Sequence, residues 1–132
     1  MAKKYEIDRA KWSNGTFMEQ YVNPPASVLY SSKTDRSCCL GLILEQCGYR
    51  QSELAGVCTP EYIVDHWMVP EWMTKKSLYG DWIDSDVVNE MVGINDNRDL
   101  EESEREHRLT ELAQSVGVDL RFVGDLFPED GR

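Results

Sequence analysis

The spacing of apolar residues along this chain changes several times, and each change marks an element. At about 100° per residue, Cys39, Leu40, Ile43, Leu44 and Cys47 fall on one broad stripe, with Cys38, Leu42 and Glu45 opposite. This predicts a helix over 37–48, N-capped by Ser37 and ended by Gly48 at C′. Apolar residues on two sides place that helix in the middle of a domain, away from its rim. Val87, Val88, Met91 and Val92 predict a second helix, starting at Asp84 or Ser85 and ending at Gly93. Leu109, Leu112, Ala113 and Val116 predict a last helix over about 101–116, with Gly117 after it. Its first half is acidic, as the helix dipole favours (Glu101, Glu102, Glu104, Glu106). VDLRFV, 118–123, alternates with Val118, Leu120 and Phe122 on one face, the pattern of a half-buried strand.

The other segments carry shorter signals. EIDRAKWS, 6–13, reads as a short helix ended by Asn14-Gly15, both of which tolerate positive φ. Residues 16–21 add a further helical turn, and Asn23-Pro24-Pro25 breaks the pattern. SVLYSS, 27–32, reads as a short strand, available to pair with 118–123. Thr59-Pro60-Glu61 has the N-cap, N1 proline and early acid of a helix start, with Tyr62, Ile63 and His66 on one face until Pro70 interrupts. INDNRD reads as a turn of side chains that bond their own backbone, and PEDGR, 128–132, as a flexible tail. The expected fold class is α+β: a mainly helical single domain over 1–127 with a small two-stranded sheet.

Composition narrows the function classes. A chain of 132 residues fits one domain and can bury roughly two-thirds of its unfolded surface. Fourteen basic residues against 24 acidic ones give a net charge of −10. No basic patch is visible, so direct nucleic-acid binding is not expected. No apolar run approaches the ~20 residues of a membrane span, and MAKKYEIDRAKW lacks the apolar core of a secretory signal. The expectation is a cytosolic protein whose four cysteines are reduced thiols. The glycines never form a phosphate loop, and no cofactor is expected.

Three groups of residues could carry function. First, Cys38 stands near a helix start, where the dipole and unpaired N–H groups lower a thiol pKa, with Arg36 close in sequence. A cysteine hydrolase also needs a base and a group to orient it. His66 with Asn95 or Asp96 is the available set, since His107 lies off the apolar stripe of its helix. The competing reading makes the cysteines small hydrophobes and His66 a core residue. No metal is expected, because paired C-x₂₋₄-C spacing is absent; Cys39 with Cys58 and His66 remains a geometrically possible set. Second, Trp67, Trp72, Tyr79 and Trp82, with Met68 and Met73, read as either a second core layer or a surface that grips a partner. Third, the acids from Asp81 through Glu106, Glu101 and Glu102 among them, read as a solvated helix face or as a phosphate mimic for a basic cleft.

Trp12, the stretch Gly15-Thr16-Phe17-Met18-Glu19-Gln20, Cys38-Cys39-Leu40-Gly41 and Asn95-Asp96 occur in an order that resembles a widespread family of small proteins from tailed bacteriophages and prophages. The resemblance covers about residues 9–117. That family has no assigned activity, so the resemblance implies a phage origin and the host bacterial cytosol, without a mechanism. Together these readings give the expectation of a non-enzymatic phage accessory protein. It would bind a host or phage protein, as an inhibitor or counter-defence factor with an acidic face. A small hydrolase using Cys38 and His66 and a phage structural or assembly protein are the alternatives.

Overall fold

The computed structural model describes residues 3–14, 28–32 and 35–124, and they form an α+β fold. In chain order the elements are strand β1 (Lys3–Asp8), helix α1 (Cys39–Cys47), the single turn α2 (Gln51–Leu54), 3₁₀ turns at Pro60–Tyr62 and His66–Met68, strands β2 (Thr74–Lys76) and β3 (Trp82–Asp84), helices α3 (Asp86–Asp96) and α4 (Glu102–Ser115), and strand β4 (Val118–Val123). The expected extra turn at 16–21, the break at 23–25 and the tail at 128–132 lie outside the described residues.

Helix α1 is the centre of the core. Cys39, Leu40, Gly41, Leu42, Ile43 and Leu44 are all buried, so the two-sided apolar pattern has its expected consequence. Strand β1 and helix α3 pack on α1, while α4 lies against β4 and α3. The residue in the N-cap position of α1 is Cys38, with no side-chain cap bond; Ser37 instead points its hydroxyl at Glu45, 3.4 Å away. Gly48 ends the helix at φ 119°, a left-handed conformation that suits glycine.

Strand β4 does not pair with residues 28–32. It pairs in parallel with β1, in the register Lys3↔Val118 through Asp8↔Val123. The segment read as a helix over 6–13 is therefore the end of a strand, a turn, and Trp12 in an isolated parallel bridge to Ser37. The physical reason is an alternation that begins before Glu6: Tyr5 and Ile7 are buried, whereas Lys4 and Glu6 are exposed. Residues 28–32 are extended but form only isolated bridges, Tyr30 to Ala55 and Ser31 to Arg36. A second sheet, absent from the sequence reading, is the antiparallel pair β2–β3.

Two further boundaries shift. The helix start at Thr59-Pro60 gives one 3₁₀ turn, because Ile63 already has extended dihedrals (φ −67°, ψ 134°). Tyr62 is exposed and Ile63 buried, so they share no face with His66, which opens a separate turn capped by Asp65. Helix α3 starts where expected, with the Ser85 hydroxyl accepting from the Val88 N–H, but it runs through Gly93 to Asp96. Asn95 and Asp96 thus belong to the last turn of a helix.

Candidate functional site

Trp12, the start of α1 and the end of α3 meet at one place. Asn95 is 1% exposed, and its side chain makes at least four hydrogen bonds. Its Oδ1 accepts from the Trp12 indole N–H at 2.7 Å and from the Cys39 backbone N–H at 3.2 Å. Its Nδ2 donates to the Ser13 carbonyl and to the Asp96 carboxylate, both at 3.0 Å. A single amide therefore ties the start of α1, the end of α3 and the Trp12 segment together. Such a fully satisfied buried polar group rigidifies its surroundings.

The junction is closed on its other sides. Gly41 lies so close to residue 29 that no Cβ would fit. Arg36 donates to the Trp12 carbonyl at 2.9 Å. Arg105 is fully buried and caps the end of α3, donating to the carbonyls of Ile94, Asn97 and Leu100 and pairing with Glu102. A cation at a helix C-terminus faces the negative end of the dipole.

Of the residues read as a thiol site, the structure brings Cys38, Asn95 and Asp96 to one crevice and leaves both histidines out of its walls. The crevice holds about 10 Å³, close to the least that admits one water. His66 stands elsewhere, stacked on Trp82 with ring centroids 5.2 Å apart and with Nε2 3.3 Å from the Glu61 carbonyl oxygen. His107 is exposed and faces Glu111 at 3.5 Å. Cys38 is only 4% exposed. Burial pushes its thiol up to about 12, with the Asp96 carboxylate adding to the effect. Burial raises the Cys39 thiol as well. Desolvation outweighs the backbone N–H groups that the sequence reading relied on. Among the described residues no group of three metal-ligating side chains is assembled, and Cys39, Cys58 and His66 do not form one.

A prediction follows for the thiols. Cys58 is exposed, Cys47 half-buried, and Cys38 and Cys39 buried. Under native conditions at neutral pH, iodoacetamide should label Cys58 first, while Cys38 and Cys39 stay unlabelled until the protein unfolds. Peptide mass spectrometry of a labelling time course checks this. Rapid modification of Cys38 in the folded protein would contradict a sealed junction.

The aromatic residues divide. Met73 is buried and Trp72 half-buried against the core. Together with Tyr5, Cys47, Met68 and Pro70, Trp72 lines an open groove of about 630 Å³. Burial and the Cys47 sulfur, 3.6 Å from its hydroxyl, push Tyr5 in that groove up to about 12. Trp67 is 75% exposed, Tyr79 91% and Trp82 41%. Tyr62, Val64 and Leu78 are also exposed, and the sequence reading had not singled out Val64 or Leu78.

These exposed side chains are held by ordered backbone. The β2–β3 hairpin carries Tyr79 in its connection, with the Ser77 hydroxyl accepting from the N–H groups of Tyr79 and Asp81 at 3.2 Å. Glu61 and Asp84 cross-cap each other: each backbone N–H donates to the other's carboxylate, at 2.8 and 2.9 Å. This fixes the first 3₁₀ turn beside β3, and the His66–Trp82 stack fixes the second. Burial raises the Asp84 carboxyl above the usual carboxylate range.

The acidic helix is largely compensated within the fold. Glu102 accepts from Asn14 and pairs with Arg105, Glu104 pairs with Arg108, and Glu106 takes a two-pronged contact from Arg9 at 2.8 Å. Glu101 remains exposed in the N-cap position of α4. No helix among the described residues is long and apolar enough to cross a membrane. No family model, curated protein or solved structure matches this chain.

Proposed function

We propose that this chain is a non-enzymatic accessory protein of phage type that binds a host or phage protein through the exposed aromatic surface of residues 62–82. The observation that carries this reading is the exposure of Trp67 (75%) and Tyr79 (91%) on turns fixed by side-chain caps. Tryptophan and tyrosine are the side chains that most often dominate binding energy at protein interfaces, and presenting them on ordered backbone lowers the entropy lost on binding. The junction of Trp12, Cys39 and Asn95 supports a structural role for these three residues. Thiol chemistry loses support, because Cys38 is sealed and no imidazole lines its crevice.

The test is the double variant Trp67→Ala/Tyr79→Ala beside the unaltered chain, each immobilised and exposed to bacterial extract with and without phage infection. A specific partner should be retained by the unaltered chain and lost at least tenfold, roughly, by the variant, since hot-spot truncations cost about 2 kcal/mol or more. Both proteins should melt within about 2 °C of each other, because exposed side chains contribute little to stability. A partner held equally by both would place binding on another surface and overturn the proposal.

A further inference from the structure

We propose that the segment gripped by this aromatic surface is a basic one: an exposed stretch of polypeptide rich in arginine or lysine. This rests on the reading above that the surface binds a protein, and it names the chemistry of the partner. Aromatic rings attract cations over their faces. This surface already does so internally, with the Lys76 ammonium 4.6 Å from the centroid of the Trp82 ring. The faces of Trp67 and Tyr79 are open to solvent and can do the same for a cation from outside.

Charge around the rings favours the same occupant. Residues 61–86 hold six carboxylates against two lysines; Glu61 and Asp84 cap each other's backbone and Asp86 faces Lys75, which leaves the exposed Asp65, Glu71 and Asp81 to meet a cation. Of those lysines, Lys76 lies on Trp82 and Lys75 faces Asp86 at 4.0 Å. Asp65 sits in the same turn as Trp67, its carboxylate accepting that residue's N–H at 3.3 Å, and Asp81 lies between Tyr79 and Trp82 in sequence. An arginine could stack on either ring with an acid nearby, the pairing that planar guanidinium groups favour. The net charge of −10 draws a basic chain toward the protein and repels nucleic-acid phosphates.

The experiment titrates the full chain with a 12-residue peptide of alternating arginine and glycine, reading tryptophan fluorescence at two salt concentrations. The charge-reversed glutamate peptide and a dodecathymidine oligonucleotide serve as the other two ligands. The arginine peptide should bind and weaken as salt rises, and the other two should not. Trp67→Ala/Tyr79→Ala should weaken it by about tenfold. Asp65→Asn/Asp81→Asn should weaken it about fivefold, with asparagine preserving the cap at position 65. Asp99→Asn/Glu101→Gln removes the same charge from exposed positions in the α3–α4 connection and should leave affinity unchanged. Equal weakening by the two charge-removing pairs would reduce the effect to net charge and overturn the proposal, as would binding of the oligonucleotide or the glutamate peptide in place of the arginine peptide. A silent arginine peptide, with partner capture still dependent on Trp67 and Tyr79, would overturn the basic-segment proposal alone. Capture that ignores those two residues would overturn the wider reading.

Discussion

Gly41→Ala is expected to destabilise the fold by about 3 kcal/mol, a large share of the total stability of an ordinary domain. A Cβ at position 41 would lie 2.6 Å from the carbonyl carbon of Leu29 and 2.9 Å from its Cα, and closer still to the carbonyl oxygen. These are backbone atoms, so no rotamer change relieves the overlap. The Leu29 segment cannot simply retreat. Its N–H donates to the Val57 carbonyl at 2.8 Å, and the neighbouring Val28 carbonyl accepts from Cys38 N–H at 3.0 Å. Moving α1 away would instead stretch the Cys39–Asn95 bond and open the core around Leu40 and Ile43. Gly93→Ala is the control within the same protein. Gly93 is in the interior of α3 with nothing within 4 Å of a new Cβ, so alanine there should stabilise by about 0.5–1 kcal/mol. Urea unfolding followed by circular dichroism measures both. A near-native Gly41→Ala would mean that α1 does not lie against residue 29 as described.

The elements legible in the sequence were those whose signal is local. Helices α1, α3 and α4 and strand β4 each contain the stripe that predicts them, although α3 continues past Gly93 to Asp96. Strand β1 is hidden because Ile7, Ala10 and Lys11 can also be read at helical spacing, and because its partner is at the far end of the chain. Parallel pairing leaves no hairpin turn between the strands to announce it. At Thr59-Pro60 the start signal was sound, but a cap marks where a helix can begin and carries no information on its length. With Tyr62 and Val64 exposed on either side of buried Ile63, no stripe continues it. Whether the Cys38 thiol is reactive or buried stays open in the sequence for a different reason. The dipole of a helix start is visible in sequence, whereas the depth at which Cys38 is buried is a tertiary property, and depth decided the sign. The aromatic residues were legible as a group, but only the fold separates Met73 in the core from Trp67 and Tyr79 at the surface.

Asn95→Leu is the second large effect, and it tests whether one buried amide holds the junction. Leucine keeps asparagine's branched shape with bulkier methyl groups, so the change leaves no cavity, crowds the site and removes the four hydrogen bonds described above. The Trp12 indole N–H and the Cys39 N–H lose their shared acceptor in a buried place, at about 1–3 kcal/mol each. The expected loss is about 4 kcal/mol, read as a fall in the urea midpoint with the slope unchanged. Asn95→Asp separates acceptance from donation. A carboxyl group there can still accept from Trp12 and Cys39, but only its protonated form has a donor for Ser13, and its ionised form faces Asp96. Burial and a neighbouring carboxylate both disfavour the charged form, so the folded-state pKa of the new carboxyl lies above its unfolded value. Its penalty is therefore small below the unfolded pKa, where the group is protonated in both states, and grows as pH rises toward the folded value. The predicted order of stability at pH 7 is wild type, then Asn95→Asp or Asn95→Leu well below it, with Asn95→Asp recovering at pH 4 and Asn95→Leu not. If Asn95→Leu were instead as stable as wild type, hydrophobic packing alone would hold α1 against α3, and the amide would be available for another role.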